Sequence, residues 1–318
     1  MTVQFIHCSD LHLDKNFNIP DIVRSYERKE DLNRNFSAIV NYAIANRPDL
    51  FLISGDIFDK LLPSNFSRVL VTRLIRELDD SNISVFMIGG NHDVPRMSEY
   101  AQLAIDVLGS AGLATVFSGS ERIQKKLLRM DGSTICVSGK SYYARYEGKN
   151  PLEGEKVPLD GHRNILMLHG SLAGLGVTPV IPEMSNQNPF GPKDIRKGLN
   201  YLALGHYHNS FKREHDGCLI CNPGSIEKLS WAEMNDEKGF YWVELNEREA
   251  SSEFIKLDTR PMEAHELPLS KSFGEKLNEA VEDFLRKHRD EKKMLKLSLT
   301  GNVSQIQYAK MKLNDIYR

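Results

Sequence analysis

Five short apolar runs in this chain each lead into a small cluster of aspartate, histidine or asparagine, and that recurrence narrows the folds open to it. Phe5-Ile6 runs into Asp10-Leu11-His12, and Leu50-Phe51-Leu52-Ile53 runs into Gly55-Asp56. Val85-Phe86-Met87-Ile88 precedes Gly89-Gly90-Asn91-His92-Asp93, and Ile165-Leu166-Met167-Leu168 precedes His169-Gly170. Tyr201-Leu202-Ala203-Leu204 precedes Gly205-His206-Tyr207-His208. Apolar runs this short, punctuated by glycine, read as buried strands. In open α/β sheets the ligand crevice lies beyond the carboxyl ends of the strands. Each fragment alone is an ordinary turn, since Gly, Asn and Asp all favour turns. Together they are expected to place five of the ten histidines at strand ends on one rim of a single sheet.

Those residue types suit a pair of divalent ions. Two such ions about 3.5–4 Å apart can clamp the attacking and leaving oxygens of an in-line phosphoryl displacement. One carboxylate has to bridge them, and Asp56, central among the clusters in chain order, is the expected bridge. Asp10, His12 and His208 are expected to complete one shell, and Asn91, His169 and His206 the other. Mixed nitrogen and oxygen donors favour Mn²⁺, Fe²⁺ or Zn²⁺ over Mg²⁺ or Ca²⁺. Asn91 offers a neutral carbonyl oxygen and adds no negative charge where an anion must bind. His92 is left beside the metals, where an imidazole can protonate a leaving oxygen or stabilise charge on the phosphoryl group. Asp93 either orients the His92 ring or caps a helix beginning near Ser98.

The set resembles the calcineurin-like metallophosphoesterases, whose signature is Asp-x-His, Gly-Asp, Gly-Asn-His-Asp/Glu, His and Gly-His-x-His. Four segments resemble more narrowly the SbcD / meiotic-recombination-eleven family of repair nucleases. They are His7-Cys8-Ser9-Asp10-Leu11-His12-Leu13, Ser54-Gly55-Asp56-Ile57-Phe58-Asp59, Gly90-Asn91-His92-Asp93 and Asn222-Pro223-Gly224-Ser225-Ile226-Glu227. The last is the most discriminating, because a Pro-Gly-Ser-x-Glu continuation so soon after Gly-His-x-His is unusual in the wider superfamily. The resemblance implies an α/β fold, a two-sheet sandwich flanked by helices with a small α/β C-terminal cap. It implies a Mn²⁺-dependent DNA nuclease of double-strand-break repair, acting as exonuclease and single-strand endonuclease. It also implies DNA and an SMC-like ABC ATPase as partners, a homodimer, and a cytoplasmic protein that joins the nucleoid when on DNA. Some members carry a second histidine where Asp59 stands, and Asp59 cannot donate a proton in that way at neutral pH. The family continues into helices that dock the ATPase; this chain reaches Arg318 without them, so either a trimmed chain or a shortened relative is expected. The alternative is another metallophosphoesterase acting on cyclic nucleotides, nucleotides or phosphoproteins. A non-catalytic scaffold would have no use for so complete a ligand set.

The rest of the chain fits one large domain, residues 1–258, and a small one, residues 259–318, after the Thr259-Arg260-Pro261 boundary. A length of 318 residues can bury a full layered core, and 41% hydrophobic with 26% charged residues is ordinary globular composition. Helices are expected from Asp31 to Asn46 and from Ser64 to Asp79, the latter with Ser64 as N-cap. Strand–helix alternation argues for parallel strands. Hairpin turns are expected at Asp131-Gly132, Asp216-Gly217 and Asn246-Glu247. The segments 145–163 and 171–198 read as loops walling a cleft. Past the boundary come a strand at Ala264–Leu269, a capping box Ser272–Glu275, and a helix striped by Phe273, Leu277, Ala280, Val281, Phe284 and Leu285. A strand at Met294–Leu299 and a helix marked by Ile306, Ala309, Leu313 and Ile316 follow. Four cysteines suit a reducing compartment, and Cys218 and Cys221 in one strand face opposite ways as core thiols. No apolar run approaches the ~18 residues that span a bilayer, so no membrane role is expected. Residues 259–318 carry 12 Lys and Arg against 9 Asp and Glu, and the remainder 29 against 34. DNA contact would therefore fall to a local cluster, Arg286, Lys287, Arg289, Lys292 and Lys293, a segment that otherwise only complements a helix dipole.

Overall fold

A computed structural model describes residues 2–19, 21–95, 102–119, 121–142, 148–246, 249–268, 277–302 and 305. The strands are β1 (Val3–Cys8), β2 (Leu50–Ser54), β3 (Ser84–Ile88), β4 (Thr115–Phe117), β5 (Gln124–Met130), β6 (Ser133–Lys140), β7 (Arg163–His169), β8 (Tyr201–Gly205), β9 (Phe211–His215), β10 (Cys218–Asn222), β11 (Gly239–Leu245), β12 (Ala250–Lys256), β13 (Met262–Pro268) and β14 (Met294–Thr300). The helices are α1 (Ile22–Asn46), α2 (Asn65–Asp80), α3 (Asp106–Ser110) and α4 (Leu277–Lys287).

Two six-stranded sheets form the main body, in the orders β12-β11-β1-β2-β3-β4 and β5-β6-β7-β8-β10-β9. Strands β1 to β4 run parallel, with β11 antiparallel to β1. In the second sheet β6, β7, β8 and β10 are parallel, and β5 and β9 close its edges as antiparallel partners. Asp131-Gly132 and Asp216-Gly217 make the two edge hairpins, all four residues at positive φ as a type I′ turn demands.

Alternation along each strand decides what lies on either face. Phe5, Leu50, Leu52, Phe86 and Ile88 point between the sheets and meet Val137, Ile165, Met167, Tyr201 and Ala203. Their neighbours Ile6, Cys8, Phe51, Ile53, Val85 and Met87 point outward, against Phe36, Ile39, Val40 and Ala43 of α1 and Leu70, Val71, Leu74, Ile75 and Leu78 of α2. With both faces covered, the central strands are apolar at every position rather than alternating. The outer face of the second sheet has no long helix. Leu166, Leu168, Leu202 and Leu204 are covered by Leu152, Val157, Leu172, Phe190, Ile195 and Leu199 instead. The segments expected to wall a cleft therefore serve mainly as a hydrophobic cover. Cys218 faces that cover and Cys221 the inter-sheet core; both are buried free thiols, pushed by burial to about 12 and about 11.

Two helix starts are informative. Ser64 caps α2, its hydroxyl accepting from the Ser67 amide at 3.3 Å. α1 begins nine residues before the expected Asp31, because its first turns expose Ile22, Val23 and Tyr26 and carry no buried stripe to recognise. Contacts group residues 1–17 with 28–259, and residues 18–27 with 260–318. In the second group β13 and β14 pair in parallel, α4 connects them, and Val281 is buried. Expectations for Ser98, Glu247, Leu269, Ser272–Glu275, Phe273 and the helix marked by Ile306, Ala309, Leu313 and Ile316 fall outside the described residues. Among the described residues no helix is long and apolar enough to cross a membrane.

Candidate metal centre

The loops that follow β1, β2, β3, β7 and β8 meet at one rim formed by both sheets, not by the single sheet expected from the apolar runs, since β1 to β3 belong to one sheet and β7 and β8 to the other. Backbone bonds lace the first two loops together: the Asp10 amide donates to Gly55 O at 3.0 Å and the His12 amide to Asp56 O at 2.9 Å. Asp10, His12, Asp56 and His206 all adopt positive φ, at 52°, 44°, 50° and 107°. Such a backbone costs of order 1–3 kcal/mol per non-glycine residue and persists where the surroundings dictate it, typically at functional sites. Glycine is required beside them for space. A Cβ on Gly90 would strike the Asp56 side chain, and one on Gly205 would strike the Ser54 carbonyl.

Asp10, His12, Asp56, His169, His206 and His208 are buried, and Asn91 joins them. The donor atoms of Asp10, His12 and His208 lie within 4.8 Å of one another, as do those of Asp10, Asp56 and His169. The Asn91 side-chain oxygen is 3.0 Å from His169 Nε2 and 3.1 Å from His206 Nδ1. Asp56 Oδ2 lies 3.5 Å from His12 Nε2 and 3.4 Å from His169 Nε2, between the two groups. Asp56 Oδ2 and His12 Nε2 are fully buried yet have no hydrogen bond. Buried polar atoms are nearly always paired, so these two are placed for a partner that is not protein. A divalent cation fits both.

Each buried ring has one nitrogen committed on its outer side. His169 Nδ1 donates to Ser54 O at 2.8 Å, and His206 Nε2 donates to Met184 O at 3.0 Å. His12 Nδ1 meets Asp59 Oδ1 at 2.9 Å, and His208 Nδ1 meets Glu233 Oε1 at 3.2 Å. Outer partners of this kind fix the tautomer and aim the opposite nitrogen at a metal. Taken alone, the protein groups balance charge among themselves. Burial works against charge on Asp56, but His169 outweighs it and holds the carboxyl well below the carboxylate range. Burial likewise opposes charge on His169, and Asp56 overrides it, raising the imidazole to about 9. Burial and the neighbouring His169 push His206 down to about 3.

His92 sits at the mouth with its side chain 39% exposed. Its amide donates to Asp56 Oδ1 at 2.8 Å and its Nδ1 to the Asp59 carbonyl at 3.2 Å. A ring nitrogen of His92 also falls within 4.8 Å of donor atoms of His12 and Asp56. Asp59 gathers His12 Nδ1 and Lys15 Nζ on one oxygen, at 2.9 and 3.0 Å. Asp93 does not hold the His92 ring among the described residues. Its carboxylate accepts the amides of Ile57, Phe58 and Gly90, each at 3.0 Å, and so ties the β2 loop to the β3 loop. Burial and then the Asp56 charge raise it to about 7. Arg286, Lys287, Arg289, Lys292 and Lys293 lie around the end of α4 in the second unit. Arg286 is 3.4 Å from Asp283, and Lys293 is 2.7 Å from Glu263.

Several residues of the site carried no recognisable pattern. Glu233 is buried and accepts from Lys238 Nζ at 2.8 Å, Ser230 Oγ at 3.0 Å and Ser225 Oγ at 3.1 Å while holding His208. Lys238 Nζ also donates to His208 O at 2.8 Å. The Pro223-Gly224-Ser225 segment was the one visible signal, and its job is mechanical. Asn222 Nδ2 donates to Tyr207 O at 2.7 Å, and the Ser225 amide donates to His208 O at 3.1 Å. Gly224, at φ 81°, comes so close that a Cβ would strike His208 O.

Comparison with known proteins agrees with this geometry. The sequence profile of the family described as calcineurin-like phosphoesterase matches residues 3–210. The DNA double-strand break repair protein Mre11 of Methanocaldococcus jannaschii is 27% identical over 87% of this chain and 72% of its own length. That of Saccharolobus solfataricus is 27% identical over 81% of this chain and 65% of its own. The uncharacterized metallophosphoesterase YhaO of Bacillus subtilis is 27% identical over 79% and 59%. Among solved structures, TT1561 of Thermus thermophilus superposes with a TM-score of 0.48 at 12% identity, over 80% of this chain and 99% of that one.

Glu233→Gln keeps the shape but removes the charge that His208 and Lys238 share. It is expected to weaken Mn²⁺ binding by about 10–100-fold, the usual effect of removing an outer partner of a ligand. Titration calorimetry on the folded variant reads this; unchanged affinity would separate Glu233 from the metal centre.

Proposed function

The chain belongs to the calcineurin-like phosphoesterase family, which comprises metal-dependent hydrolases, and from that premise we propose that it is a Mn²⁺-dependent DNA nuclease of double-strand-break repair, acting as exonuclease and single-strand endonuclease. The observation that carries the chemistry is the pair of buried, unbonded atoms Asp56 Oδ2 and His12 Nε2 inside a complete ring of Asp, His and Asn donors. In this reading Asp10, His12, Asp56 and His208 would hold one divalent ion, and Asp56, Asn91, His169 and His206 would hold the other. When bound, such a pair polarises the phosphoryl group and supplies a nucleophilic oxygen at neutral pH.

The chain's own residues do the rest. With its Nδ1–H fixed on the Asp59 carbonyl, His92 has Nε2 as the atom that carries a proton to a leaving oxygen at the open mouth. Its amide, bonded to Asp56 Oδ1, keeps the ring in register with the bridging carboxylate. Ser9, whose hydroxyl donates to Asp10 Oδ2 at 2.6 Å, Asp59 and Glu233 hold ligands in place, and Asp93 holds the loops.

DNA as substrate is supported by the relatives named Mre11. An SMC-like ABC ATPase partner is proposed on the same likeness. A homodimer is supported by an exposed apolar face on one side of the main body. Leu61, Leu62, Val69 and Val107 line a groove of about 840 Å³ there, and Leu62 is 82% exposed. Contiguous exposed apolar surface of this kind usually marks an interface. The second reading, a phosphoesterase for cyclic nucleotides, nucleotides or phosphoproteins, is favoured by the likeness to YhaO and by the net negative charge of residues 1–258.

The deciding experiment incubates the purified chain and Mn²⁺ with labelled single- and double-stranded DNA, and separately with bis-p-nitrophenyl phosphate. DNA cleavage is expected; hydrolysis of the small ester alone would favour the second reading. His92→Ser should keep its metals and DNA affinity while losing about 10²–10⁴-fold in turnover. Loss of metal from that variant would make His92 a ligand instead. Neutralising Arg286, Lys287, Arg289 and Lys292 should flatten the dependence of log affinity on log salt by nearly one unit per lost phosphate contact. An unchanged slope would reduce the cluster to a solvated helix end.

A further inference from the structure

A second group of ligand-type side chains lies wholly within the unit formed by residues 18–27 and 260–318. Glu263 and His265 stand two apart on β13, so both project from the same face of the β13–β14 pair. α4 is the crossover between these strands, and His288 follows its last turn, its amide bonded to the Phe284 and Leu285 carbonyls. Phe284 and His288 are neighbours on one helical face, and their rings stack with centroids 4.3 Å apart. Phe284 also meets His265 edge-on at 5.4 Å, and the two imidazoles are 4.5 Å apart. The donor atoms of Glu263, His265 and His288 lie within 4.8 Å of one another.

We propose that Glu263, His265 and His288 form a zinc site that is separate from the phosphoesterase centre and ties the end of α4 to β13. Two imidazoles and one carboxylate, with water in a fourth position, are an ordinary donor set for Zn²⁺. Phe284 pre-positions both rings by packing against them, so little order has to be created when the ion arrives. Glu263 can serve as ligand and remain fixed. Its Oε1 takes the Lys293 ammonium at 2.7 Å, while Oε2 faces His265 Nε2 at 3.3 Å. Lys293 is then the outer partner of a ligand rather than a competitor for the whole carboxylate.

The site also has a consequence for its surroundings. His288 is flanked by Arg286-Lys287 and Arg289, so an ion bound there anchors this basic segment to a strand. Without the ion the same groups would be surface packing, three rings in contact beside a salt bridge.

Metal counting distinguishes the two. The full chain is stripped with a chelator, dialysed against limiting Zn²⁺ and assayed for bound zinc, beside His265→Gln, His288→Ala and Glu263→Gln. The two histidine variants should each hold one equivalent less than the unmodified chain, and Glu263→Gln should release that equivalent more readily. The difference between proteins is the readout, so the result stands however many ions the sheet rim retains. Co²⁺ substitution provides a second signal, a visible absorption component lost in the histidine variants. Hydrolysis of bis-p-nitrophenyl phosphate with Mn²⁺ should be unchanged in all three. Equal zinc content in the unmodified chain and in any histidine variant with native circular dichroism would overturn the proposal.

Discussion

Asp56 carries a charge in a place where charge is costly. It is buried at the junction of five strand ends, one oxygen held by the His92 amide and the other without a hydrogen bond. Leaving a buried charged group unpaired costs at least about 1–3 kcal/mol, so the surroundings have to compensate it. His169 does so in part, holding a proton to about 9 opposite the carboxylate. Around this pair the strained loop conformations, the glycines that clear space and the outward-anchored imidazoles all follow. The two sheets supply the rigidity, since a rim of loops alone could not keep four residues at positive φ.

The convergence of these Asp, His and Asn side chains was legible in the sequence because each follows directly on a buried strand. The sheet does the assembling, so local patterns suffice: a short apolar run, a glycine, then Asp or His. Parallel pairing followed from strand–helix alternation and the two-sheet sandwich from the family resemblance; the runs are apolar at every position because both faces are covered. The second sheet's cover was less legible. Leu152, Leu172, Phe190 and Ile195 are scattered through Gly- and Pro-rich segments, so they show no period and read as loop.

The supports behind the ligands were the least legible part. Glu233 and Lys238 lie 25 and 30 residues from His208 in the chain and act through a buried network with no periodic signature. Asp93 stands next to His92 and looked like its partner, yet the chain turns so that its carboxylate faces three backbone amides. Neighbours in sequence were a poor guide to neighbours in space there. The start of α1 failed for a related reason: residues 18–27 pack with the C-terminal unit, and no local pattern announces a return of that length. His265 and His288 carry no local pattern either, being brought together only by the crossover of α4.

The central claim is that one buried carboxylate joins two metal ions, and electron paramagnetic resonance of the Mn²⁺-loaded chain tests it most directly. Two manganese ions sharing Asp56 are close enough to couple. The spectrum should therefore show the many-line, temperature-dependent pattern of an exchange-coupled pair, and Asp56→Asn should abolish it. Six-line signals of isolated Mn²⁺ at full loading of the unmodified chain would contradict a shared carboxylate and with it the arrangement described here.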